Sequence, residues 1–209
     1  ALFTERTKFV SLVHMSNVLG TVNPAKDLTR IAHDNGAAIL FDGTQAAVHM
    51  PVDVQDIGCD FYVFTGHKLY GPNGAGALYA AGDWLERLRP YQGGGEMIAE
   101  VSETGVTYAD VPHKFEAGTP AIADVIGLGA AIDWVQALDR NAALEHERAL
   151  LDRAEAGLRD VDGLHLYGQA QNKGAIVSFT IDGAHPHDLA QLMDRSEERR
   201  VGKECATGC

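Results

Sequence analysis

Three short apolar segments, each followed by turn-forming residues, constrain the fold of this 209-residue chain more than any other feature. They are KFVSLVHM, AAILFDG and CDFYVFTG, and the pattern of an amphipathic helix, PAKDLTRIAHDNG, separates the first two. Pro24 suits the first turn of that helix, and Gly36 suits its C-cap. Strand, helix, strand, short helix or loop, strand is the order of a parallel α/β sheet whose strands are covered on both faces. A fourth segment, GAGALYA, predicts the next strand.

The pattern changes after this fourth strand. A glycine-rich stretch from GDWLERL to FEAGTP predicts an extended loop, and residues 120–160 have apolar side chains at helical spacing. The segments LHLYG and AIVSFTI predict two strands, and HPHDLAQLMD predicts a helix with Pro186 or His187 in its first turn. We therefore expect residues 1–135 to be part of a large domain, and residues 136–194 to be a linker helix and the start of a small α+β domain.

Composition and charge exclude several classes of protein. Lys and Arg number 17 against 29 Asp and Glu, and the formal net charge of -12 argues against binding to the phosphate backbone of nucleic acids. No run of about eighteen apolar residues and no secretory leader pattern occurs, so we expect a cytoplasmic protein without a membrane span. The three cysteines do not suggest a disulfide framework. Cys59 precedes a strand and suits the core, whereas Cys205 and Cys209 lie close together near the end.

Polar and reactive side chains follow the three predicted parallel strands. Asn17 follows the first strand, Asp42 ends the second, and Lys68 follows the third. Ligands of parallel α/β sheets gather at the carboxyl ends of the strands, so these residues are candidates for one site. A purely structural ion pair between Asp42 and Lys68 is the simpler alternative.

The neighbours of Asp42 and Lys68 favour chemistry over a structural ion pair. Gln45 follows Asp42 by three residues, and Thr65 and His67 stand just before Lys68. Pyridoxal phosphate needs an amine for its aldehyde, a carboxylate near its pyridine nitrogen, and hydroxyl or imidazole donors for its phosphate. This cluster provides one group of each kind, which predicts a pyridoxal 5'-phosphate site.

A metal centre is a weaker alternative for the same residues. His49 lies near Asp42 and His67 in sequence, but no HExxH pattern or paired Cys and His spacing accompanies it. The run GGGEMI lacks the lysine and the helix signal of a phosphate-binding P-loop. We expect no metal site, and we expect His14, His33 and His146 to be packing or surface residues.

Several motifs occur in an order and spacing that resembles cysteine desulfurases of the SufS type, within the class V aminotransferase family. The motifs are SNVLGTVNP, LFDGTQAAVHMPVDV, DFYVFTGHKLYGPNGAGALY, GGGEMI and FEAGTP, and the likeness extends over roughly residues 8–194. The resemblance implies the type I pyridoxal-phosphate-dependent transferase fold, with a mainly parallel sheet in its large domain.

Position by position, the resemblance also implies roles for the site residues. Lys68 would bond to the cofactor as a Schiff base, Asp42 would contact its pyridine nitrogen, and Gln45 would contact its phenolic oxygen. Asn17 would lie near the substrate carboxylate. The phosphate would be bound by three residues, the last of them reaching across to the other subunit of a homodimer: Thr65, His67 and Thr119.

The implied reaction converts L-cysteine to L-alanine. Lys68 would move the α-proton, Asp42 would stabilise the developing charge, and His67 would complete the catalytic set. A separate cysteine thiolate takes up the sulfur as a persulfide, which a sulfur-acceptor protein receives for iron–sulfur cluster assembly. Selenocysteine lyase and related lyases are alternatives within this fold. A non-catalytic dimerisation or sulfur-relay scaffold is the alternative from another class.

Both ends of the chain depart from the resemblance. Relatives have a long segment before the first strand, so we expect the chain to be a fragment that is inactive on its own. At the other end, RSEERRVGKEC resembles a translated sequencing-library adapter, and we expect residues 195–209 to be non-native. Arg200 and Cys205 would then lie near the positions of the persulfide loop by coincidence.

Overall fold

The computed structural model describes residues 2–195 of the chain. The chain divides into two compact units. The first comprises the residues up to His14 together with Pro24–Arg140, and the second comprises Met15–Asn23 together with the residues from Asn141 onward. The chain therefore leaves the first unit immediately after its first strand. It contributes the short segment Met15–Asn23 to the second unit and then returns to the first unit at the following helix.

A four-stranded sheet organises the first unit. Its strands are β1 (Phe9–Val13), β2 (Ala38–Asp42), β3 (Phe61–Thr65) and β4 (Gly76–Ala80). The first three strands run parallel in that spatial order, and β4 lies antiparallel beside β3. Asp42 aligns with Val13 on one side and with Val63 on the other, so the three parallel strands end at the same edge of the sheet. The prediction of a mainly parallel α/β sheet is confirmed.

Five helices accompany this sheet: α1 (Ala25–Asp34), α2 (Ala46–His49), α3 (Val54–Ile57), α4 (Trp84–Arg87) and α5 (Ile122–Ala137). Pro24 is the N-cap residue of α1, in agreement with its predicted place at the helix start. The C-cap residue is Asn35, one position before the glycine that the sequence suggested. Gly36 follows with a φ of 69°, a left-handed conformation that glycine adopts without steric cost.

The core of the first unit lies around β2. Ile39 and Phe41 are fully buried and cluster with Ala32 of α1. Burial of side chains of this size stabilises the fold by about 1.5–3 kcal/mol each. Cys59 belongs to the same cluster, as predicted, and burial raises the pKa of its thiol.

The edge strand β1 is less buried than the sequence pattern suggested. Phe9 and Val13 are 51% and 41% exposed, whereas a strand covered on both faces was expected. β1 pairs with β2 alone among the described strands, so one of its sides has no neighbouring strand. An apolar run by itself does not distinguish an edge strand from a central one.

The glycine-rich stretch contains a β-hairpin that the sequence pattern did not predict. Strands β5 (Ile98–Ser102) and β6 (Gly105–Tyr108) pair antiparallel. Every residue of both strands is exposed. The alternation of buried and exposed positions that reveals a half-buried strand is therefore missing from this segment.

The second unit contains most of a long helix, a hairpin and a further helix. Their bounds are α6 (Arg140–Arg159), β7 (Leu164–Tyr167), β8 (Ser178–Ile181) and α7 (Pro186–Arg195). A bridge between Thr21 and Lys173 joins the segment Met15–Asn23 to the connection between β7 and β8. The two strands and the helix start at Pro186 are confirmed. No helix within residues 2–195 is long and apolar enough to cross a membrane.

Candidate active site

Asp42 lies at the carboxyl end of the central strand β2. Its side chain is half-buried, and its Oδ1 accepts a hydrogen bond of 2.9 Å from the backbone N–H of Thr44. Its backbone carbonyl accepts from the N–H of His14, and the next residue, Gly43, donates to the carbonyl of Val63. These bonds hold the backbone at Asp42 on both sides and one of its carboxylate oxygens, Oδ1. The other oxygen, Oδ2, has no hydrogen-bond partner among the described residues.

Gln45 follows on the same loop and is the N-cap residue of α2. Its side chain is half-buried, and its backbone carbonyl accepts from the amides of Val48 and His49. The amide of Ala47 donates to the carbonyl of Gly43 at 2.8 Å. The short helix α2 is therefore bonded directly to the turn that follows Asp42.

Thr65 and His67 lie beside Lys68 after the neighbouring strand β3. Thr65 Oγ1 and His67 Nδ1 are 2.8 Å apart and share a hydrogen bond. Lys68 ends a single 3-10 turn, Gly66–Lys68, and has no ion-pair or hydrogen-bond partner within residues 2–195. The structural ion pair with Asp42 that the sequence left open is therefore not formed. The Lys68 amine is available for a ligand.

Close backbone contacts shape the turn that carries Lys68. The carbonyl of Gly66 accepts from the amides of both Leu69 and Gly71, at 2.9 Å each. A side chain at Gly66 would place its Cβ 2.9 Å from the carbonyl oxygen of Ala75 and 3.2 Å from the side chain of Leu128 in α5. Only glycine allows the turn to pack this tightly.

The side of the turn beyond Lys68 rests on α5. Tyr70 has a left-handed φ of 60°, and its ring meets Trp134 of that helix edge-on at 5.1 Å between centroids. Leu128 also lies against Gly71. The reactive amine is thus presented from a turn whose conformation α5 supports.

A buried pair that sequence reasoning did not identify includes His14, whose backbone N–H donates to the carbonyl of Asp42. His14 Nδ1 and the hydroxyl of Tyr62 are 2.9 Å apart, and both residues are almost fully buried. Burial lowers the pKa of His14 and raises the pKa of Tyr62. The two residues are 48 positions apart in sequence, and no spacing or pattern links them, so only the fold reveals their contact.

The two remaining candidate residues, Asn17 and Thr119, are both exposed. Asn17 is exposed in the second unit, in a turn where Ser16 Oγ accepts from the amides of Val18 and Leu19. Thr119 is exposed in the first unit, directly after Gly118, whose amide donates to the carbonyl of Gly95. Their roles at substrate and phosphate stay predictions.

Within the part of the chain that the structure describes, no group of three or more His, Cys, Asp and Glu side chains could hold a metal ion. The predicted non-native tail is almost wholly outside that part. Its Arg200, Cys205 and Cys209 lie beyond residue 195. Cys59 is the one cysteine that the described residues contain.

Comparisons with known proteins identify relatives along nearly the whole chain. The aminotransferase class-V family matches residues 1–208. A cysteine desulfurase of Dickeya dadantii is 48% identical over 208 residues, which cover 99% of this chain and 50% of that protein. The chain therefore spans about half the length of the curated relatives it matches.

Solved structures share the fold. A cysteine desulfurase of Escherichia coli superposes with a TM-score of 0.87 and 41% identity, over 92% of this chain and 48% of that one. The cystine C–S lyase C-DES gives a TM-score of 0.80 with 26% identity, over 92% of this chain and 52% of its own. It was solved with glycine linked covalently to its pyridoxal-phosphate cofactor, and with its product cysteine persulfide. The sequence motifs, the sheet and these relatives agree that the chain belongs to the aminotransferase class-V family.

Proposed function

We propose that the protein is a pyridoxal-phosphate-dependent cysteine desulfurase that converts L-cysteine to L-alanine and takes up the sulfur as a persulfide. The observation that carries this proposal is the placement of Lys68, without a partner among residues 2–195, and of Asp42 at the ends of adjacent parallel strands. Relatives named cysteine desulfurases, at 45–49% identity over nearly all of the chain, support the choice of reaction.

The donor set fits the cofactor. Asp42 has an oxygen available for the pyridine N–H, and Lys68 has an available amine for the aldehyde. The pair of Thr65 and His67 leaves a proton donor for phosphate in either tautomer. If the hydroxyl donates to Nδ1, the imidazole Nε2–H remains, and if Nδ1–H donates to the hydroxyl, the hydroxyl proton remains.

Each residue then has a definite task. Pyridoxal phosphate, when bound, supplies the electron sink that weakens bonds at the α-carbon of an amino acid. Lys68 holds the aldehyde end and later moves the substrate's α-proton as a base. Asp42 keeps the proton on the pyridine nitrogen through a charge-assisted hydrogen bond. His67 and Thr65 hold the phosphate, and Gln45 donates to the phenolic oxygen.

The sulfur-accepting thiol is a separate group. Cys59 is fully buried, and the raised pKa of its thiol opposes formation of a thiolate, so we propose that Cys59 does not carry the persulfide. The origin of residues 195–209 bears on Cys205. The family match runs to residue 208, and the non-native origin of residues 195–209 stays a prediction. Resequencing the gene across codon 195 decides whether Cys205 is native.

Labelling of Lys68 tests the proposed function. The chain should be expressed with whatever native sequence its gene adds on either side, and reduced with borohydride in the presence of pyridoxal phosphate. We expect the pyridoxyl label on Lys68, and we expect Lys68→Ala to lose both the label and alanine release from L-cysteine. Lys8→Ala is the matched control, because Lys8 is an exposed lysine just before β1. A colourless wild-type protein, or a label on another lysine, contradicts the proposal.

The C–S lyase C-DES supports a second candidate, a lyase that acts on a related sulfur or selenium amino acid. Alanine and pyruvate should both be measured from L-cysteine, from L-selenocysteine and from L-cystine on the same preparation. Alanine from L-cysteine with a protein-bound persulfide indicates a desulfurase, and alanine from L-selenocysteine alone indicates a selenocysteine lyase. Pyruvate from L-cystine together with free cysteine persulfide indicates a C–S lyase. A non-catalytic scaffold would release none of these products.

We further propose the setting in which a SufS-type desulfurase would work. The enzyme would be a cytoplasmic homodimer, with Thr119 reaching the phosphate of the partner subunit and Asn17 near the substrate carboxylate. Its persulfide would pass to a sulfur-acceptor protein for iron–sulfur cluster assembly. Residues 1–135 would belong to the cofactor-binding domain, and residues 136–194 to the linker helix and the small domain.

A further inference from the structure

We propose that Arg140 is a positioning residue for the cofactor site, which it serves by holding the carboxyl end of α2 and through it the turn with Asp42 and Gln45. Arg140 is the first residue of α6 and the last residue of the first compact unit. The inference rests on the proposed function only in naming the cofactor. The contact between Arg140 and α2 does not depend on the cofactor.

One nitrogen of Arg140 meets three backbone carbonyls. Nη2 lies 2.9 Å from the oxygen of Ala47, 3.0 Å from that of Val48 and 2.9 Å from that of Met50. An amino group of guanidinium has two protons, so the three carbonyls share them. A cationic side chain that binds several of the last carbonyls of a helix acts as a C-cap.

These carbonyls are the ones that α2 cannot satisfy itself. Backbone amides of the helix and its cap donate to the oxygens of Gly43, Gln45 and Ala46. Of the next four oxygens along the chain, beyond the reach of this one-turn helix, Arg140 covers those of Ala47, Val48 and Met50. A single turn of helix is also unstable alone, because nucleation fixes several dihedrals for one hydrogen bond. Tertiary contacts must therefore hold α2 in place.

Packing holds one side of α2, where Ala46 is fully buried, but leaves space next to Ala47. A cavity of about 230 Å³ borders Ala47 and is lined mainly by apolar side chains of β3 and α5, including Tyr62, Phe64 and Val135. Arg140 lines the same cavity. Because side chains do not fill the space beside α2, the three hydrogen bonds of Arg140 contribute more to holding the helix in place.

The segment that Arg140 holds, α2, is short and directly connected to Asp42 and Gln45. Gln45 caps α2, and the amide of Ala47 is bonded to the carbonyl of Gly43, the neighbour of Asp42. The cavity also reaches Leu69, the neighbour of Lys68. A shift of α2 would therefore move Gln45 first and Asp42 next, while the turn with Lys68 is supported separately by α5.

Arginine suits this task better than lysine. Its guanidinium is more weakly hydrated than an ammonium and ends a longer side chain, so it reaches the carbonyls with less loss of hydration. Lysine has three donors on its nitrogen but a shorter reach and stronger hydration. We therefore expect Arg140→Lys to restore part of what Arg140→Ala loses.

Two readouts on the same variants test the proposal. The variants are Arg140→Ala and Arg140→Lys, with Arg153→Ala as the control, because Arg153 is an exposed arginine elsewhere on α6. The first readout is hydrogen exchange of the amides of Val48, His49 and Met50 in the cofactor-free protein. The second is the Kd for pyridoxal phosphate, measured by titrating its visible absorbance.

We expect Arg140→Ala to exchange these amides about tenfold faster and to weaken cofactor binding about tenfold, the effect of losing one hydrogen bond to a charged group. Arg140→Lys should lie between Arg140→Ala and the wild type, and Arg153→Ala should match the wild type. Should Arg140→Ala fail to fold, Arg140→Lys and Arg140→Gln give the graded comparison.

The two proposals fail in different ways. If the wild-type protein does not bind pyridoxal phosphate, the proposed function fails, and the exchange rates still report whether Arg140 holds α2. If the wild type binds the cofactor and folded Arg140→Ala binds it equally well, the positioning role is overturned. Unchanged exchange of the α2 amides in that variant would overturn it independently.

Discussion

At the scale of single residues, Gly43 is the most constrained position near the site. A Cβ built on it would lie 1.9 Å from Cε1 of the Tyr62 ring. That ring is held in place by its hydroxyl, which is bonded to His14, so it cannot swing aside without breaking a buried hydrogen bond. The turn between Asp42 and Thr44 can therefore pass over Tyr62 only where a side chain is absent.

Gly43→Ala should destabilise the protein because of this contact. Overpacking of a filled site costs about 1–3 kcal/mol, and the rigid ring places the expected loss toward the upper end of that range. Urea denaturation measures the loss. Gly157→Ala is the matched control, since Gly157 lies in α6 with no atom within 4 Å of the added carbon. The control should be neutral or slightly stabilising, and equal stability of both variants would contradict the argument.

His14 makes the stability depend on pH in a definite window. Burial lowers its pKa below the ordinary 6.5, so the unfolded chain binds a proton here at a higher pH than the folded chain does. Its contribution is complete above about pH 6.5 and is lost as the pH falls through the lowered pKa. Unfolding free energies should therefore fall below that pH in the wild type, and His14→Gln should flatten this part of the curve.

Tyr62→Phe separates the titration of His14 from its hydrogen bond. The variant removes the hydroxyl but leaves the imidazole buried, so its curve should lie lower at every pH and still fall below about pH 6.5. The loss should be about 1–3 kcal/mol, the cost of a buried polar group left without its partner. A flat curve in Tyr62→Phe would show that the dependence needs the Tyr62 hydroxyl and does not come from burial of the imidazole alone.

Residue patterns predicted the positions of polar residues at strand ends better than the buried contacts. Asp42 and Lys68 were expected at strand ends because apolar strands and the turns after them are visible in sequence, and the structure has both residues there. Their roles stay predictions. Arg140 is separated from the carbonyls it binds by about ninety positions, and its α6 pattern predicts only a charged helix. Contacts of this kind depend on how helices and strands pack, which no local periodicity encodes.

At the scale of elements, sequence predicted where strands lie better than how they pair. β4 was predicted as a strand, but its antiparallel direction follows from the short connection after β3, which passes through the turn with Lys68. The hairpin of β5 and β6 was not predicted, because its exposed residues follow no two-residue alternation. Burial creates periodicity, and elements that bury little leave no signal.

The long helix α6 is attached to the rest of the second unit by a partly buried ion pair. Lys173 Nζ lies 2.7 Å from Glu155 Oε1, and Arg159 lies 2.7 Å from Oε2. The side chains of Lys173 and Glu155 are only 5% and 14% exposed. Since Lys173 also bridges to Thr21, this pair links α6 to the segment Met15–Asn23 that carries Asn17.

Glu155→Gln should destabilise this unit and change its response to acid. The hydrogen bond from Lys173 lowers the pKa of Glu155 below its ordinary 4.5, and Arg159 lowers it further. The stabilisation is therefore present above about pH 4.5 and is lost as the pH falls through the lowered pKa. At neutral pH we expect a loss of about 1–3 kcal/mol, between the values for exposed and for fully buried pairs.

An exposed ion pair provides the control for Glu155→Gln. Lys26 and Asp56 are bonded in the first unit, but their side chains are 69% and 63% exposed. Solvent screens such pairs, so Asp56→Asn should leave the unfolding midpoint unchanged within error. If both substitutions lower the midpoint equally, burial is not the reason for the strength of the pair on α6.

At the scale of the whole molecule, residues 2–195 expose apolar side chains on one helix, α5. Apolar residues stand on all sides of α5, which is typical of a helix enclosed by protein. Four of them are more than half exposed: Ile122, Val125, Ile126 and Trp134. Exposed patches of this kind mark surfaces that bind other protein or cause aggregation.

The chain expressed alone should therefore self-associate. We also expect it not to turn over L-cysteine on its own, since it spans about half the length of its curated relatives. Light scattering against concentration measures the association. Replacing Val125 and Ile126 by lysine should reduce it without lowering the unfolding midpoint, because both side chains face solvent. Leu128→Lys is the contrasting variant, since Leu128 is 7% exposed and packs on the turn with Lys68, so its charge should unfold the chain. A monomeric chain at all concentrations, or alanine release from it, would contradict this account.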